Sequence, residues 1–291
     1  MLGKADLYYS GRLSCVSTDW LANHLDEPRL VILDAQPNVH DYIQTHIPGA
    51  VYFCPSTLRV PLGGTPGKWI PPEAAQALFS RVGVDTDLPI VVYTGTGLYK
   101  GWGDGLEQTM VAYSLVRFGH DDVYVLDGGL DKWLAEGRPT SQAFPKTQFG
   151  AFEATVRSDI FLEYEAFKAV KDDDDVVLLD ARPPRVYAGQ GPWIRNGHIP
   201  GAVNLPWTSL MHPDNARLLK PEDEVMEIVE SVGATRDKMI ICSCGTGREA
   251  TNEYVLFKHY LNYARVKLYE GSFTEWSSYS SNPVVRGMKP R

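Results

Sequence analysis

The segment of this 291-residue chain best suited to chemistry is a cysteine followed by a short glycine loop. Ile240-Ile241-Cys242-Ser243-Cys244-Gly245-Thr246-Gly247-Arg248-Glu249-Ala250 reads as an apolar strand, a cysteine, a tight turn and the start of a helix. In a parallel α/β unit, ligands bind where a strand hands over to a helix, because the unpaired N–H groups of the helix start point outward there. Gly245 and Gly247 let the backbone curl until several N–H groups converge, which makes a concavity for an anion. A thiolate is such an anion, and cysteine pKa falls beside helix starts and arginine. Cys244 is therefore expected to be a reactive, partly exposed nucleophile, with no neighbouring base required. Arg248 should depress its pKa further and attract an anionic donor, while Glu249 complements the helix dipole. Cys242, two residues earlier, reads as core.

The elements that hold this loop occur twice. His46-Ile47-Pro48-Gly49-Ala50-Val51 returns unchanged as His198-Ile199-Pro200-Gly201-Ala202-Val203, and Leu30–Ala35 (LVILDA) returns as Val177–Ala181 (VLLDA). Val91–Gly97 aligns with Ile241–Gly247, and Asp127-Gly128-Gly129 with Trp133 aligns with Glu270-Gly271-Ser272 and Trp276. The order is constant and the offsets stay between 143 and 152. Two copies of one domain follow, at residues 1–140 and 159–291, joined by a polar linker over 141–158. Thr94 stands at the cysteine position of the first copy, and a hydroxyl lacks a thiolate's nucleophilicity at neutral pH. The first copy is thus expected to be silent.

Each copy reads as α/β. Leu30–Leu33, Ile90–Tyr93 and Val123–Leu126, then Val176–Leu179, Met239–Cys242 and Val266–Tyr269, are unbroken apolar runs, the pattern of parallel strands buried on both faces by helices. Ala250, Tyr254, Phe257 and Leu261 form one stripe of a helix beginning near Arg248, matched by Val111, Leu115 and Phe118 in the first copy.

Composition narrows the function. With 28 Lys+Arg against 36 Asp+Glu, the net charge of −8 argues against a nucleic-acid partner. No apolar stretch is long enough to span a membrane. Four cysteines in so long a chain make no disulfide framework and match no zinc spacing, so no metal or other cofactor is expected. The first residues, MLGKADLYYSGRLSCVSTDWL, contain no apolar core of a secretory signal, and a reducing cytoplasm is the expected location.

On Tyr42 with His46-Ile47-Pro48-Gly49-Ala50 and Phe53, and on Val266-Lys267-Leu268-Tyr269-Glu270-Gly271-Ser272-Phe273-Thr274-Glu275-Trp276, the chain resembles the tandem-domain rhodanese family of sulfurtransferases along nearly its whole length. The resemblance implies two rhodanese-like domains, each a parallel sheet flanked by helices, with an inactive first copy. The second copy would carry a catalytic cysteine, here Cys244, in a six-residue loop, Gly245 to Ala250. It implies transfer of a sulfane sulfur from a small anionic donor to cyanide or to a thiol acceptor, such as a thioredoxin-like protein, through a cysteine persulfide. Loop N–H groups would stabilise the charge on sulfur. Arginines after Asp180 should clamp the donor. Arg185 and Arg195 are preferred, with Arg182 the alternative because the spacing departs from the family by about one residue.

Thiosulfate and 3-mercaptopyruvate enzymes share this architecture. The Gly245-Thr246-Gly247 loop resembles the mercaptopyruvate version. Arg248 and Arg59, and the lack of an acidic residue after the first HIPGAV, favour thiosulfate, which is the expected donor. A phosphatase or arsenate reductase would need a longer loop with arginine where Ala250 stands. A non-catalytic carrier or redox module would use Cys242 and Cys244 together. His46 and His198 should fix matching turns, and Asp34 and Asp180 should organise loops as hydrogen-bond acceptors. The Asp172–Asp175 run reads as a solvated connection, and Trp102 and Asp104 are candidates for lining a cleft.

Overall fold

The computed structural model of the chain describes residues 12–97 and 105–291. Trp102 and Asp104 lie outside the described residues. The chain divides into two compact units. The first comprises Met1–Leu58, Ile70–Arg157 and His212–Leu219; the second comprises Arg59–Trp69, Ser158–Met211 and Lys220–Arg291. Each unit therefore includes a short segment drawn from the other half of the sequence.

The first unit is built on five parallel strands in the spatial order Leu13–Val16, Val123–Leu126, Ile90–Tyr93, Val31–Asp34, Val51–Tyr52. Its central strands are the apolar runs read from the sequence, and Ile90 to Tyr93 are wholly buried. Alternate residues face opposite layers. Ile32, Val91, Tyr93, Tyr124 and Leu126 pack with Trp20, Leu130 and Trp133 of the helices Thr18–Asn23 and Gly129–Ala135. Val111, Leu115 and Phe118, the expected stripe, are fully buried on and just after the helix Glu107–Arg117.

In the second unit the order is Val203–Asn204, Val176–Asp180, Met239–Ser243, Val266–Tyr269, Phe161–Leu162, again all parallel. Leu178, Ile241 and Tyr269 pack with Phe167, Phe273 and Trp276. The helix after the cysteine loop spans Glu249–Val255 and widens to π geometry over Leu256–Tyr260; Ala250, Tyr254, Phe257 and Leu261 are all buried. Two α/β units with helix-flanked parallel sheets are what the periodicity required.

The edge strands escape sequence reading. All four have two to four residues, too few to show a period, and they exist because a central strand offers its free edge. The antiparallel hairpin of Arg59–Leu62 and Thr65–Trp69, turning at Gly63 and Gly64, is also absent from the sequence reading although it belongs to the second unit. Residues 141–158 do not run free. Ser141 bridges to His46, Thr155 donates to the Phe118 carbonyl, and Phe152 is buried edge-on against Phe79 at 5.3 Å.

The duplicated HIPGAV turns match in detail. Each histidine is fully buried and stacked on a tyrosine, His46 on Tyr42 at 4.1 Å and His198 on Tyr187 at 3.7 Å. Each ring faces two backbone carbonyls, those of Tyr42 and Ala143 for His46 and those of Tyr187 and Lys289 for His198. Burial lowers the His198 pKa, which favours the neutral ring. Among the described residues no helix is long and apolar enough to cross a membrane.

Candidate functional site

Cys244 follows the central strand Met239–Ser243 of the second unit, and its main chain is pinned from the neighbouring strand's end. Its N–H donates to Ser272 Oγ at 3.1 Å, and Ser272 Oγ donates to the Tyr269 carbonyl at 2.9 Å. Phe273 and Thr274 donate through their backbone N–H groups to the Cys244 and Gly245 carbonyls at 3.0 and 2.9 Å, and Thr274 Oγ1 adds a second bond to Gly245 at 2.7 Å. Ser272 adopts φ +50°, a left-handed conformation that the first copy fills with Gly129 at φ +57°. A side chain tolerated in that region marks strain kept for a purpose, and here the purpose is the hydroxyl under the cysteine.

The loop then curls around the sulfur. Gly247 N–H donates to Cys244 Sγ at 3.0 Å, and the N–H groups of Thr246 and Ala250 also bear on the thiol. Gly247 has φ +86°, and a Cβ there would sit 2.8 Å from the Glu270 carbonyl oxygen. Gly245 is needed for space, since a Cβ would lie 2.9 Å from the Trp193 indole. That indole is held by a bond from Nε1 to Thr274 Oγ1 at 2.9 Å. From the hairpin of the same unit, Trp69 packs against Gly247, and Arg59, stacked on Trp69 at 3.8 Å, donates to the Thr246 carbonyl.

One expectation is corrected here. The thiol is fully buried rather than partly exposed, and its pKa is pushed up to about 12 rather than down. Burial beneath the packed loop is the larger cause and the Glu249 carboxyl the next; together they outweigh the loop N–H groups. Arg248 is half-buried and its charge acts on Glu249, whose own charge is felt at the Cys244 thiol. Glu249 thus does more than complement a helix dipole. Cys242 is fully buried in the strand, as a core residue should be. No disulfide joins the four cysteines.

The arginines sort differently from the sequence preference. Arg182 is the one beneath the loop, 1% exposed, with its Cδ 3.7 Å from the Cβ position of Gly245. Its Nε and Nη2 grip both oxygens of Asp180 at 2.8 and 2.5 Å, and Nη2 also donates to the Gly197 carbonyl at 2.9 Å. Nη1 is buried without a partner. Arg185 is exposed on the short helix Pro184–Tyr187, and Arg195 spends its guanidinium on the Tyr279 and Asn282 carbonyls. Of the three arginines named from the sequence, Arg182 is thus the one that lies beneath the loop.

The first copy shows what the second adds. Asp34, at the position of Asp180, accepts from Gln36 N and Nε2 at 2.8 and 2.9 Å and from Tyr93 OH at 2.5 Å, so a neutral Gln36 stands where Arg182 does. Thr94 is buried with its hydroxyl on the Ala35 carbonyl at 3.2 Å. The Thr96 N–H donates to the Asp131 carboxylate at 3.0 Å, and Arg217 of the same unit pairs with Asp131 at 2.7 Å. A carboxylate and its counter-ion fill this loop. Aligning the copies residue by residue would have flagged Gln36 against Arg182 and Gly129 against Ser272; Trp193 and Trp69 carry no such signal. Among the described residues no group of three or more His, Cys, Asp or Glu could hold a metal ion.

A family profile described as a rhodanese-like domain matches residues 17–136 and 163–279. Over 280 residues the chain is 37% identical to a putative thiosulfate sulfurtransferase of Synechococcus elongatus, covering 94% of this chain and 85% of that one. It is 30% identical to the sulfur carrier protein TtuD of Thermus thermophilus, covering 94% and 96%. The crystal structure of SseA from Escherichia coli, described among 3-mercaptopyruvate sulfotransferases, superposes with a TM-score of 0.77 at 30% identity and covers 89% of this chain and 98% of that one.

Proposed function

The chain belongs to the rhodanese family, and we propose that it is a sulfurtransferase whose second copy carries a sulfane sulfur on Cys244. The observation that carries this reading is a thiol ringed by backbone N–H groups in the second copy, against a threonine and a carboxylate-filled loop in the first. The Cys244 sulfur, as thiolate, attacks the outer sulfur of the donor. A new S–S bond forms, and the donor's own bond to that sulfur breaks with its electron pair leaving on sulfite. The persulfide then carries the negative charge, which the loop N–H groups and Arg182 stabilise without reorganising. Cyanide or a thiol attacks the terminal sulfur and regenerates Cys244.

Thiosulfate is the proposed donor, supported by the unpaired Arg182 Nη1 under the loop and by Arg248 and Arg59 along it, which suit a sulfonate with two charges. Mercaptopyruvate is the second reading. In its favour, Trp193 fills the space a basic side chain at position 245 would need. Four free cysteines suit a reducing cytoplasm. The test is thiocyanate formation from cyanide with each donor, in the parent and in Cys244→Ser. A higher kcat/KM with thiosulfate and an inactive variant support the proposal; preference for mercaptopyruvate transfers the assignment to the second reading. A Cys244→Ser protein with full activity would overturn the role of Cys244.

A further inference from the structure

Cys244 is fully enclosed, yet a donor has to touch its sulfur before any sulfur can move. The groups that cover it are of two kinds. Gly245 and Gly247 are buried while Thr246 between them is exposed, and each glycine has an indole laid against it, Trp193 on Gly245 and Trp69 on Gly247. Trp69 is 5% exposed at the end of the strand Thr65–Trp69, and Arg59, stacked on its ring, donates to the Thr246 carbonyl, so this wall is tied to the loop itself. Trp193 is half-buried and meets Phe273 edge to face at 5.4 Å.

The backbone that carries Trp193 is held only at its ends. Gln190 N–H donates to the Arg185 carbonyl and His198 N–H to the Val285 carbonyl, both at 2.9 Å; among the described residues no backbone-to-backbone hydrogen bond involves residues 191–197. Pro192 and Ile194, on either side of the indole, are exposed, Ile194 completely. Glycines of positive φ stand at both ends, Gly189 at +117° and Gly197 at +139°, where large dihedral changes cost least. Arg195 on the Tyr279 and Asn282 carbonyls, and Arg286 Nε on the Asn196 carbonyl, fix the end nearer Gly197. The middle has the bond from Trp193 Nε1 to Thr274 Oγ1 as its hydrogen-bonded tether. Segments with so few backbone hydrogen bonds open at the lowest free energy in a fold. We propose that residues 190–197 are a strap and that Trp193 is its gate: the indole leaves Gly245 to admit donor or acceptor to Cys244, and returns to keep water from the persulfide. Trp69 is the fixed wall opposite. The inference deepens the sulfurtransferase reading and rests on it for what passes the gate.

Trp193→Ala and Trp193→Phe in the full chain, labelled with iodoacetamide and mapped by peptide mass spectrometry, test the gate without any sulfur donor. Cys244 should react slowly in the parent and faster by roughly tenfold or more in Trp193→Ala, which removes both the ring and the tether. Trp193→Phe, which keeps a ring and loses the Nε1 donor, should lie between them. Cys242, fully buried in the strand Met239–Ser243, reports wider unfolding and should stay unlabelled in all three proteins. Persulfide formation from limiting thiosulfate, followed by stopped flow, should accelerate in the same order. Equal labelling of Cys244 in the parent and Trp193→Ala overturns the proposal. So does labelling of Cys242 in step with Cys244, which assigns the exposure to loss of the sheet, and so does a loading rate that Trp193→Ala leaves unchanged or lowers. The expected labelling in a protein that forms no persulfide upholds the gate and overturns the sulfurtransferase reading instead.

Discussion

Replacing Arg182 by glutamine separates the positive charge under the loop from the fold around it, because the first copy already contains the exchange. Gln36 serves Asp34 through its N–H at 2.8 Å and Nε2 at 2.9 Å, so a glutamine at 182 can keep equivalent bonds to Asp180 and the chain should fold. Only the charge and the unpaired Nη1 donor are lost. Hydrogen bonds to charged groups contribute about 1.5–3 kcal/mol, which corresponds to a fall of roughly 10- to 150-fold in kcat/KM for an anionic donor. A second effect follows from Asp180. With glutamine and tyrosine as partners, the buried Asp34 is held at about 6, mainly by desolvation. In Arg182→Gln the buried Asp180 carboxylate loses its counter-charge, and Ser243, unpartnered, stands where Tyr93 donates to Asp34, so burial should favour the neutral carboxyl in the variant as it does at Asp34. A carboxyl whose native pKa exceeds its unfolded value near ~4 favours folding fully below that pH and loses the advantage as pH rises through about 6. Arg182→Gln should therefore be close to the parent in Tm at pH 4 and below it at pH 7. Calorimetry at the two pH values, with steady-state thiosulfate kinetics, checks both effects. An unchanged kcat/KM together with a Tm difference that does not vary with pH would refute the reasoning.

Three further outcomes are expected. Thr94→Cys in a Cys244→Ser background should recover no thiocyanate formation, because the first copy's loop is already filled by Asp131 and Arg217. Ser272→Gly should relieve the positive φ but remove the acceptor of the Cys244 N–H. Tm should change little while kcat falls about fivefold, whereas Ser272→Ala, which keeps the strain, should also lose about 1–2 kcal/mol in denaturant titration. Gly245→Ala should cost about 1–3 kcal/mol through overlap with the Trp193 ring, and Trp193→Leu in the same chain should make the two losses less than additive in thermal melts.

The order of sheet and helix, the duplication and the position of the cysteine loop were all legible in the linear sequence. Short unbroken apolar runs alternating with helical stripes read as strands covered on both faces, and identical turns recurring in the same order at similar offsets mark two copies. The ionisation of Cys244 was not legible. Loop composition points to a lowered thiol pKa, and the sign reverses because the sulfur is buried under a loop whose glycines pack against Trp193 and Trp69, side chains far away in sequence, with the Glu249 charge adding to the effect of burial. The arginine question was decided in the same way. Arg182, Arg185 and Arg195 are equivalent as letters, and only packing commits Arg182 to Asp180 and Arg195 to the carbonyls of Tyr279 and Asn282. Local patterns fix elements because periodicity is a short-range property. Charge, burial and pairing at a site are sums over everything packed around it, so they arise only when the tertiary structure brings those groups together.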